Sequence, residues 1–477
     1  MRLAAIGLVA CFAFTAHAQN QEQQDREASL FGDASEPTTE TPRSSDRDRS
    51  IFGAPNDKQL SNAPVAENRL ESTLVEKQDP LAIGGRLYLR TGSRYFDDSS
   101  LGDMPLNHSA QLFVYGDARP TNRLRAFVRT RFDHDFIEQR VPANQTALGT
   151  SGSNEQTRAQ LDQLWLKFDV DRKAYVTIGQ QPIRWGSARI WNPTDFVNAQ
   201  RLDPLAIFDI RPGIPMFKVH VPIESSGTNL YAIAQVDGAE RLSETGGVIR
   251  AEQTLPQSEL SATMSVRKDQ PLRLGLDYSV GIDVFELRFE GAAIRGGDVH
   301  RWTGTFNPDL ENLTIPERVD LDWAFQSTIG LEWTIGYGDQ ESAYWTIEYF
   351  HNELGYSDAE LYPWLALTGE LNPLYLGRHY LATNIILPRP GSFNDLTVLS
   401  SGIWNLSDNT GIVRVDLQVQ VLTRLSVFMY ASTYLGDQGE FRFAFDLPAD
   451  PAVPGLEDGI EIKSPIADIG FWLSVAL

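Results

Sequence analysis

AYVTIGQQPIRWGSARIWNPTDFVNAQRLDPLAIFDIRPGIPMFKVHVPI, residues 174–223, decides how the rest of this chain is read. It opens on an alternating run, with Ala174, Val176 and Ile178 on one face and Tyr175, Thr177 and Gly179 on the other. It closes on a second, with Phe217, Val219, Val221 and Ile223 opposite Lys218 and His220. Successive side chains of a strand point to opposite faces, so each run has one apolar and one wetted face. The connection between them is about thirty residues long and has no periodicity of its own; such a loop is functional or disordered. Pro182, Pro193, Pro204, Pro212 and Pro215, with Trp185 and Trp191, argue for order. We expect this loop to pack into or over the mouth of a β-barrel whose wall is built by the flanking strands.

Outward from this stretch the period of two continues from residue 81 to the C-terminus. Leu124, Ala126, Val128, Thr130 and Phe132 alternate with Arg123, Arg125, Phe127, Arg129, Arg131 and Asp133. Val413, Val415, Leu417, Val419 and Val421 alternate with Arg414, Asp416, Gln418 and Gln420. Eighteen such runs begin near residues 83, 107, 123, 158, 174, 214, 228, 246, 258, 271, 283, 319, 343, 379, 395, 411, 424 and 465. Those at 246 and 258 are the weakest, which leaves sixteen strands as an alternative. Connections alternate between short (119–122, 171–173, 224–227, 422–424) and long (135–157, 182–212, 295–317, 355–378, 437–464). Aromatic residues stand toward run ends, at Tyr95-Phe96, Tyr349-Phe350, Tyr434 and Phe471-Trp472, and the chain ends on an apolar run. Short turns on one side, long loops on the other and a closing terminal strand define a transmembrane antiparallel up-and-down β-barrel, all-β, of about eighteen strands. A barrel of that size has room for an aqueous channel.

The first residues fix the compartment. Met1–Ala18 has Arg2, an apolar core from Leu3 to Phe14 and Ala16-His17-Ala18, which is the pattern of a cleaved secretory signal. Leu8-Val9-Ala10-Cys11 is a rival lipobox reading; cleavage after Ala18 removes the only cysteine and with it disulfide chemistry. No run of 18 apolar residues follows, which excludes a transmembrane helix. The chain carries 41 Lys+Arg against 63 Asp+Glu, a formal net charge of −22, and loss of Arg2 makes it one unit more negative. That charge disfavours nucleic acid and anionic surfaces as partners. Residues 19–80, rich in Gln, Glu, Asp, Ser and Pro, read as a disordered periplasmic tail. A short pattern repeats in it, at Asp25–Gly32 and Asp46–Gly53, and offers two Leu/Ile-Phe motifs to a periplasmic partner. A weak helix over 66–78 is the other element expected there.

The lumen follows from the cost of lipid-facing arginine, roughly 2–4 kcal/mol at the bilayer midplane. Arg86, Arg90, Arg123, Arg125, Arg129, Arg131 and Lys167 are therefore read as a basic inner wall. Nearly half a circumference away, Glu286, Glu290, Asp320, Asp322, Glu332 and Glu348 form an acidic wall. Two such walls set a transverse field suited to a polar, anionic or zwitterionic solute; alternatively they pair among themselves. If the 182–212 loop folds inward, Arg184, Trp185, Arg189, Trp191 and Asp195 narrow the channel, with the tryptophans as stacking surfaces; the alternative is an external cap.

Gly179-Gln180-Gln181-Pro182-Ile183-Arg184-Trp185-Gly186 followed by Trp191-Asn192-Pro193-Thr194-Asp195 resembles a strand-and-loop segment of proteobacterial outer-membrane barrels of the porin-like and alginate-export-like type. The likeness is closest to a group of such barrels without an assigned function. Leu376-Gly377-Arg378-His379-Tyr380-Leu381 and Asn405-Leu406-Ser407-Asp408 resemble two later blocks of that group. The resemblance implies a barrel in the outer-membrane lipid bilayer that passes a small solute or secreted product, as a passive pore or the outer part of an export route.

Two other functions compete with a channel. A surface-binding or structural barrel would have an occluded lumen. An outer-membrane hydrolase needs a positioned nucleophile and base, yet His108, His134, His220, His300, His351 and His379 stand in no recognisable nucleophile or metal motif. No cofactor is expected.

Overall fold

The computed structural model describes residues 80–137, 156–198, 204–205, 211–296, 299–308, 312–337, 341–449 and 459–477. The expected signal peptide, both tail motifs and the 66–78 helix lie outside the described residues. Eighteen strands form one closed antiparallel wall. It begins with β1 (Leu81–Phe96), β2 (Leu106–Thr121), β3 (Leu124–Asp135), β4 (Thr157–Val170), β5 (Ala174–Gln181) and β6 (Ile214–Ile223). It continues with β7 (Thr228–Gln235), β8 (Gly246–Leu255), β9 (Ser258–Val266), β10 (Leu272–Ile282) and β11 (Phe285–Arg295). A separate hairpin, β12 (His300–Thr303) with β13 (Glu317–Asp320), stands outside the wall. The wall resumes with β14 (Trp323–Tyr337), β15 (Glu341–Asn352), β16 (His379–Pro388), β17 (Leu396–Asn405), β18 (Thr410–Leu422) and β19 (Leu425–Leu435). A second small hairpin, β20 (Phe445–Leu447) with β21 (Ile460–Ile462), precedes the closing strand β22 (Pro465–Ala476). A short helix, α1 (Tyr362–Thr368), lies in the connection between β15 and β16.

Closure is made by the first and last strands, with Leu89 opposite Leu473 and Arg90 opposite Trp472. Every run read as a strand is one, including β8 and β9, so the count is eighteen. The largest offset is at 319, where Glu317–Asp320 pairs with His300–Thr303 and the wall strand starts only at Trp323. Local alternation cannot separate a wall strand from a loop hairpin.

The barrel is inside out compared with a water-soluble protein. Large apolar side chains lie exposed on its outer surface, among them Leu164, Leu166, Ile249, Phe325, Ile329 and Val415. Charged side chains lie buried inside it: Arg131, Lys218, Arg250, Glu290 and Glu348. Charged groups are almost never fully buried in soluble proteins unless paired, and apolar ones are the usual core. A closed wall that is apolar outside and charged inside stands in hydrocarbon around a polar lumen. The aromatic pairs at run ends divide between the faces. Tyr349 and Phe471 point out, whereas Phe350 is fully buried inside and Trp472 lies inward against Arg90, 4.6 Å from its guanidinium carbon.

Val415, outward near the middle of β18, gives the direct check. Replacing it by arginine is expected to lower folding stability in lipid vesicles by about 2–4 kcal/mol, whereas arginine at inward Gln418 costs well under half of that; urea titration of both variants measures the difference.

Candidate functional site: the inner loop and the lumen walls

Residues 182–198 run along the inside of the wall, not over its rim. Ile183, Trp185 and Val197 pack with Ile214, Met216, Tyr231, Ile233 and Val248 on the inner faces of β6, β7 and β8. Further along, Ile190 and Trp191 pack with Phe350, Tyr380, Ile403 and Ile412 from β15 to β18. The ring of Trp191 lies parallel to that of Phe350, at 5.4 Å and 12°.

A loop without regular structure carries backbone N–H groups that need acceptors once buried. Two wall carboxylates supply them. Glu290 accepts the N–H of Ala188 at 2.6 Å, the hydroxyl of Thr194 at 2.8 Å and the side-chain amide of Asn192 at 3.0 Å. Glu348 accepts the consecutive N–H groups of Arg189, Ile190 and Trp191. Successive N–H groups converging on one anion form a backbone nest, here filled by a side chain of the same protein. The hydroxyl of Thr328 donates to the Trp191 carbonyl at 3.1 Å.

The loop sequence is explained by this docking. Gly186 has φ +103°, and a Cβ there would lie 2.5 Å from Glu290 Oε1. Only glycine admits both that backbone and that carboxylate. Gly179, at φ +119°, lets the backbone of β5 approach the Leu164 carbonyl, which a Cβ would meet at 2.2 Å. In Trp191-Asn192-Pro193-Thr194-Asp195, the Asp195 N–H closes a turn on the Asn192 carbonyl at 3.1 Å. Asn192 and Thr194 are thereby aimed at Glu290. Asp195 accepts from Asn198 and from Arg211 at 3.2 Å.

The expected residues sort as follows. Arg86, Arg90, Arg125, Arg129, Arg131 and Lys167 lie on the inner face of β1, β3 and β4, in register with one another across the sheet. Arg123 lies in the turn before β3, exposed, and pairs at 2.9 Å with Asp169, which shares the face of Lys167 on β4. Arg125 pairs with Asp117 at 2.8 Å, and Arg129 and Arg131 share the fully buried Asp162 at 3.4 and 3.6 Å. Asp162 is the extra residue of a bulge, where the register jumps from Gln163 to Leu161; the bulge turns its carboxylate inward. Arginine and aromatic rings interleave on this wall, Arg125 over Trp165 at 5.2 Å and Arg129 over Phe113 at 5.5 Å.

Opposite, Glu286, Glu290, Glu332 and Glu348 are inward, whereas Asp320 belongs to the external hairpin and Asp322 pairs with Arg295 outside the wall. Glu332 accepts Arg288 at 3.1 Å and Arg189 at 3.2 Å, and Glu286 pairs with Arg288. Trp185 and Trp191 are buried anchors and present no stacking surface to a solute. Arg184 is exposed on the loop. The histidines are dispersed: His351 and His379 face each other across β15 and β16, His220 stacks on Tyr231, and His300 lies in the external hairpin. Sequence reading missed Asp162 and the acceptor role of Glu290 and Glu348. The Gly186 and Asn192-Pro193-Thr194 signals mark a docked turn but do not name its partner.

The fold and this loop define a membrane-spanning β-barrel with a loop docked on the inside of its wall. Comparison with known families and with curated proteins finds no match. Among solved structures, the chain is similar to Acinetobacter baumannii OccAB1 (13% identity, TM-score 0.48, covering 83% of this chain and 96% of that one). It is similar also to the outer-membrane protein opdK from Pseudomonas aeruginosa (9%, 0.47, 83% and 98%) and, more distantly, to Salmonella typhi OmpF in complex with daunomycin (9%, 0.38, 83% and 97%). No residue role is taken from them.

Replacing Glu348 by alanine strands three N–H groups, at a cost of about 1–3 kcal/mol for each unsatisfied group. The amides of 189–191 are expected to exchange with deuterium at least about tenfold faster, with those of β1–β4 unchanged.

Proposed function

We propose that the protein is an outer-membrane channel whose lumen passes small polar solutes and favours anions. One observation carries this reading: the loop covers the acidic wall. Glu290 and Glu348 are occupied by loop N–H groups, and Glu286 and Glu332 by Arg288 and Arg189. The basic wall lies across the lumen, since β3 and β14 stand nine places apart in a ring of eighteen. That wall brings Arg86, Arg90, Arg125, Arg129, Arg131 and Lys167 to the inner face, with Asp117, Asp133 and Asp162 paired among them. Clefts lined by one sign of charge with low-dielectric walls concentrate counter-ions. An anionic solute fits this arrangement better than a zwitterion, which needs two open walls. The tail at 25–32 and 46–53 would dock a periplasmic partner if the channel serves export; deleting 19–80 then abolishes export and leaves conductance intact.

Single-channel recording in a planar bilayer tests the pore. Stepwise conductance with anion selectivity is expected, and a silent protein would support an occluded structural barrel. Arg129→Glu with Arg131→Glu, or Arg184→Glu alone, is expected to move the zero-current potential in a KCl gradient toward cation selectivity. An unmoved potential in both variants would show that these groups do not face the conducting path.

A further inference from the structure

The seam where β22 closes on β1 carries a recess at the short-turn end of the lumen, apart from the inner loop. Ala476 of β22 is the register partner of Arg86 on β1, and its N–H donates to the carbonyl of Arg424 at 2.9 Å. Arg424 ends the two-residue turn, Thr423-Arg424, between β18 and β19. Two residues along from Ala476, Ser474 stands opposite Ser426, which in turn stands opposite Gln420. Ser474 and Ala476 alternate in step with the inward Trp472, so this row faces the lumen. The small side chains of Ala476, Ser474 and Ser426 leave a recess of about 290 Å³ between Arg86 and Arg424, lined also by Phe428. Neighbouring strands lie about 4.8 Å apart, so the two arginines leave the wall roughly 10 Å apart, within reach of one ion held between them.

The lining of this recess holds two guanidinium groups and no carboxylate. Elsewhere on the inner wall arginines are answered by wall acceptors: Arg90 by Gln111 at 2.8 Å, Arg250 by Asp277 at 2.8 Å and Arg414 by Asp416 at 2.6 Å. Among the described residues the Arg424 guanidinium meets no such acceptor. The side-chain oxygen of Gln420 is taken by the Ser426 hydroxyl at 2.8 Å. Ser474 is only 6% exposed, and among the described residues its hydroxyl has no hydrogen-bond partner. Two like charges on either side of a methyl group repel unless something negative lies between them. Guanidinium groups donate in a fork that matches carboxylate and phosphate oxygens, and a serine hydroxyl adds one donor more.

We propose that the recess is an oxyanion subsite at the short-turn mouth of the lumen, in which Arg86, Arg424 and the Ser474 hydroxyl hold a phosphate or carboxylate group. Its place on a path for solutes rests on the reading of the protein as an anion-favouring channel; its capacity to bind an oxyanion rests on the seam alone. Arg86 belongs to the basic wall, and Arg424 comes from a turn on the far side of the closing strand. The subsite is therefore complete only when the barrel is closed.

Equilibrium dialysis of radiolabelled inorganic phosphate against the detergent-solubilised full chain tests the site. Saturable binding of phosphate is expected. Arg424→Gln is expected to weaken it at least about tenfold, the effect of losing one charge-assisted contact, and Ser474→Ala to weaken it less. Arg389→Gln removes an arginine at the same end of the barrel that is already paired with Glu341 at 3.0 Å, and is expected to leave binding unchanged. Circular dichroism confirms the strand content of each variant. No saturable binding, or binding undiminished in Arg424→Gln, overturns the proposal. An equal loss in Arg389→Gln shows attraction to positive charge at large and overturns it as well. Conductance in a planar bilayer is read separately. A conducting protein that binds no phosphate loses the subsite and keeps the channel. A protein that binds phosphate but conducts at no voltage overturns the channel reading, and with it the placing of the subsite on a solute path.

Discussion

Everything inside this barrel depends on one requirement: the buried N–H groups of an irregular loop must find acceptors. A helix or strand would satisfy them internally. The loop at 182–198 does so only in part, through the turn at Asn192–Asp195, and wall side chains accept others. Glu290 and Glu348 meet the requirement with several donors each, and because both come from the same sector they fix where the loop lies. An ionised carboxylate gains roughly as much from its donors as the donors gain from it, since charge-assisted hydrogen bonds are about twice as strong as neutral ones. Acidic residues that would otherwise face a solute become part of the scaffold.

That use of the acidic sector changes the electrostatics expected from a sum of charges. The chain is strongly acidic overall, but several of its inward carboxylates are taken up by the loop and by arginines. Other charges are neutralised along single strands. Arg250 and Glu252 pair at 2.7 Å, Arg414 and Asp416 at 2.6 Å, and Arg288 with Glu286 in the same way. Residues two apart on a strand share a face, so the pairing needs no opposite wall. The β1–β4 sector is built differently: there the loop does not lie over the charges, and Arg125 and Arg129 are braced by aromatic rings.

The wall was legible in the sequence, apart from the start of β14, because period two reports directly on which face meets hydrocarbon. Eighteen runs were enough to count strands and place both termini on the short-turn side. The lumen was less legible. Pairing along single strands, as in Arg414 with Asp416 and Glu286 with Arg288, joins residues two apart, a spacing that the reading by opposed walls passes over. Alternation runs on to Arg123, which stands in the exposed turn and reaches the inner-face Asp169. Asp162 was invisible because a bulge breaks the very periodicity used to read faces. The docking of Gly186 on Glu290 joins residues about one hundred positions apart, and no local signal encodes such a pairing.

That long separation also orders the way the site can be assembled. The loop leaves the wall after β5, yet its acceptors arrive on β11 and β15, and the partners of Trp191 extend to β18. Loop closure over such distances is costly in chain entropy and is repaid only when the wall strands are paired. The docked loop therefore has its acceptors only once β11 and β15 stand in the wall. The same holds for Glu440 in the connection after β19, whose carboxylate accepts from Tyr380 of β16, Asn405 of β17 and the N–H of Leu374. Trp191 sits where these two structures meet: its backbone is bound to the wall by Glu348 and Thr328, its indole N–H to the external loop by Leu374. A residue bound from both sides in this way ties the inner loop to the connection before β16 as well as to the wall.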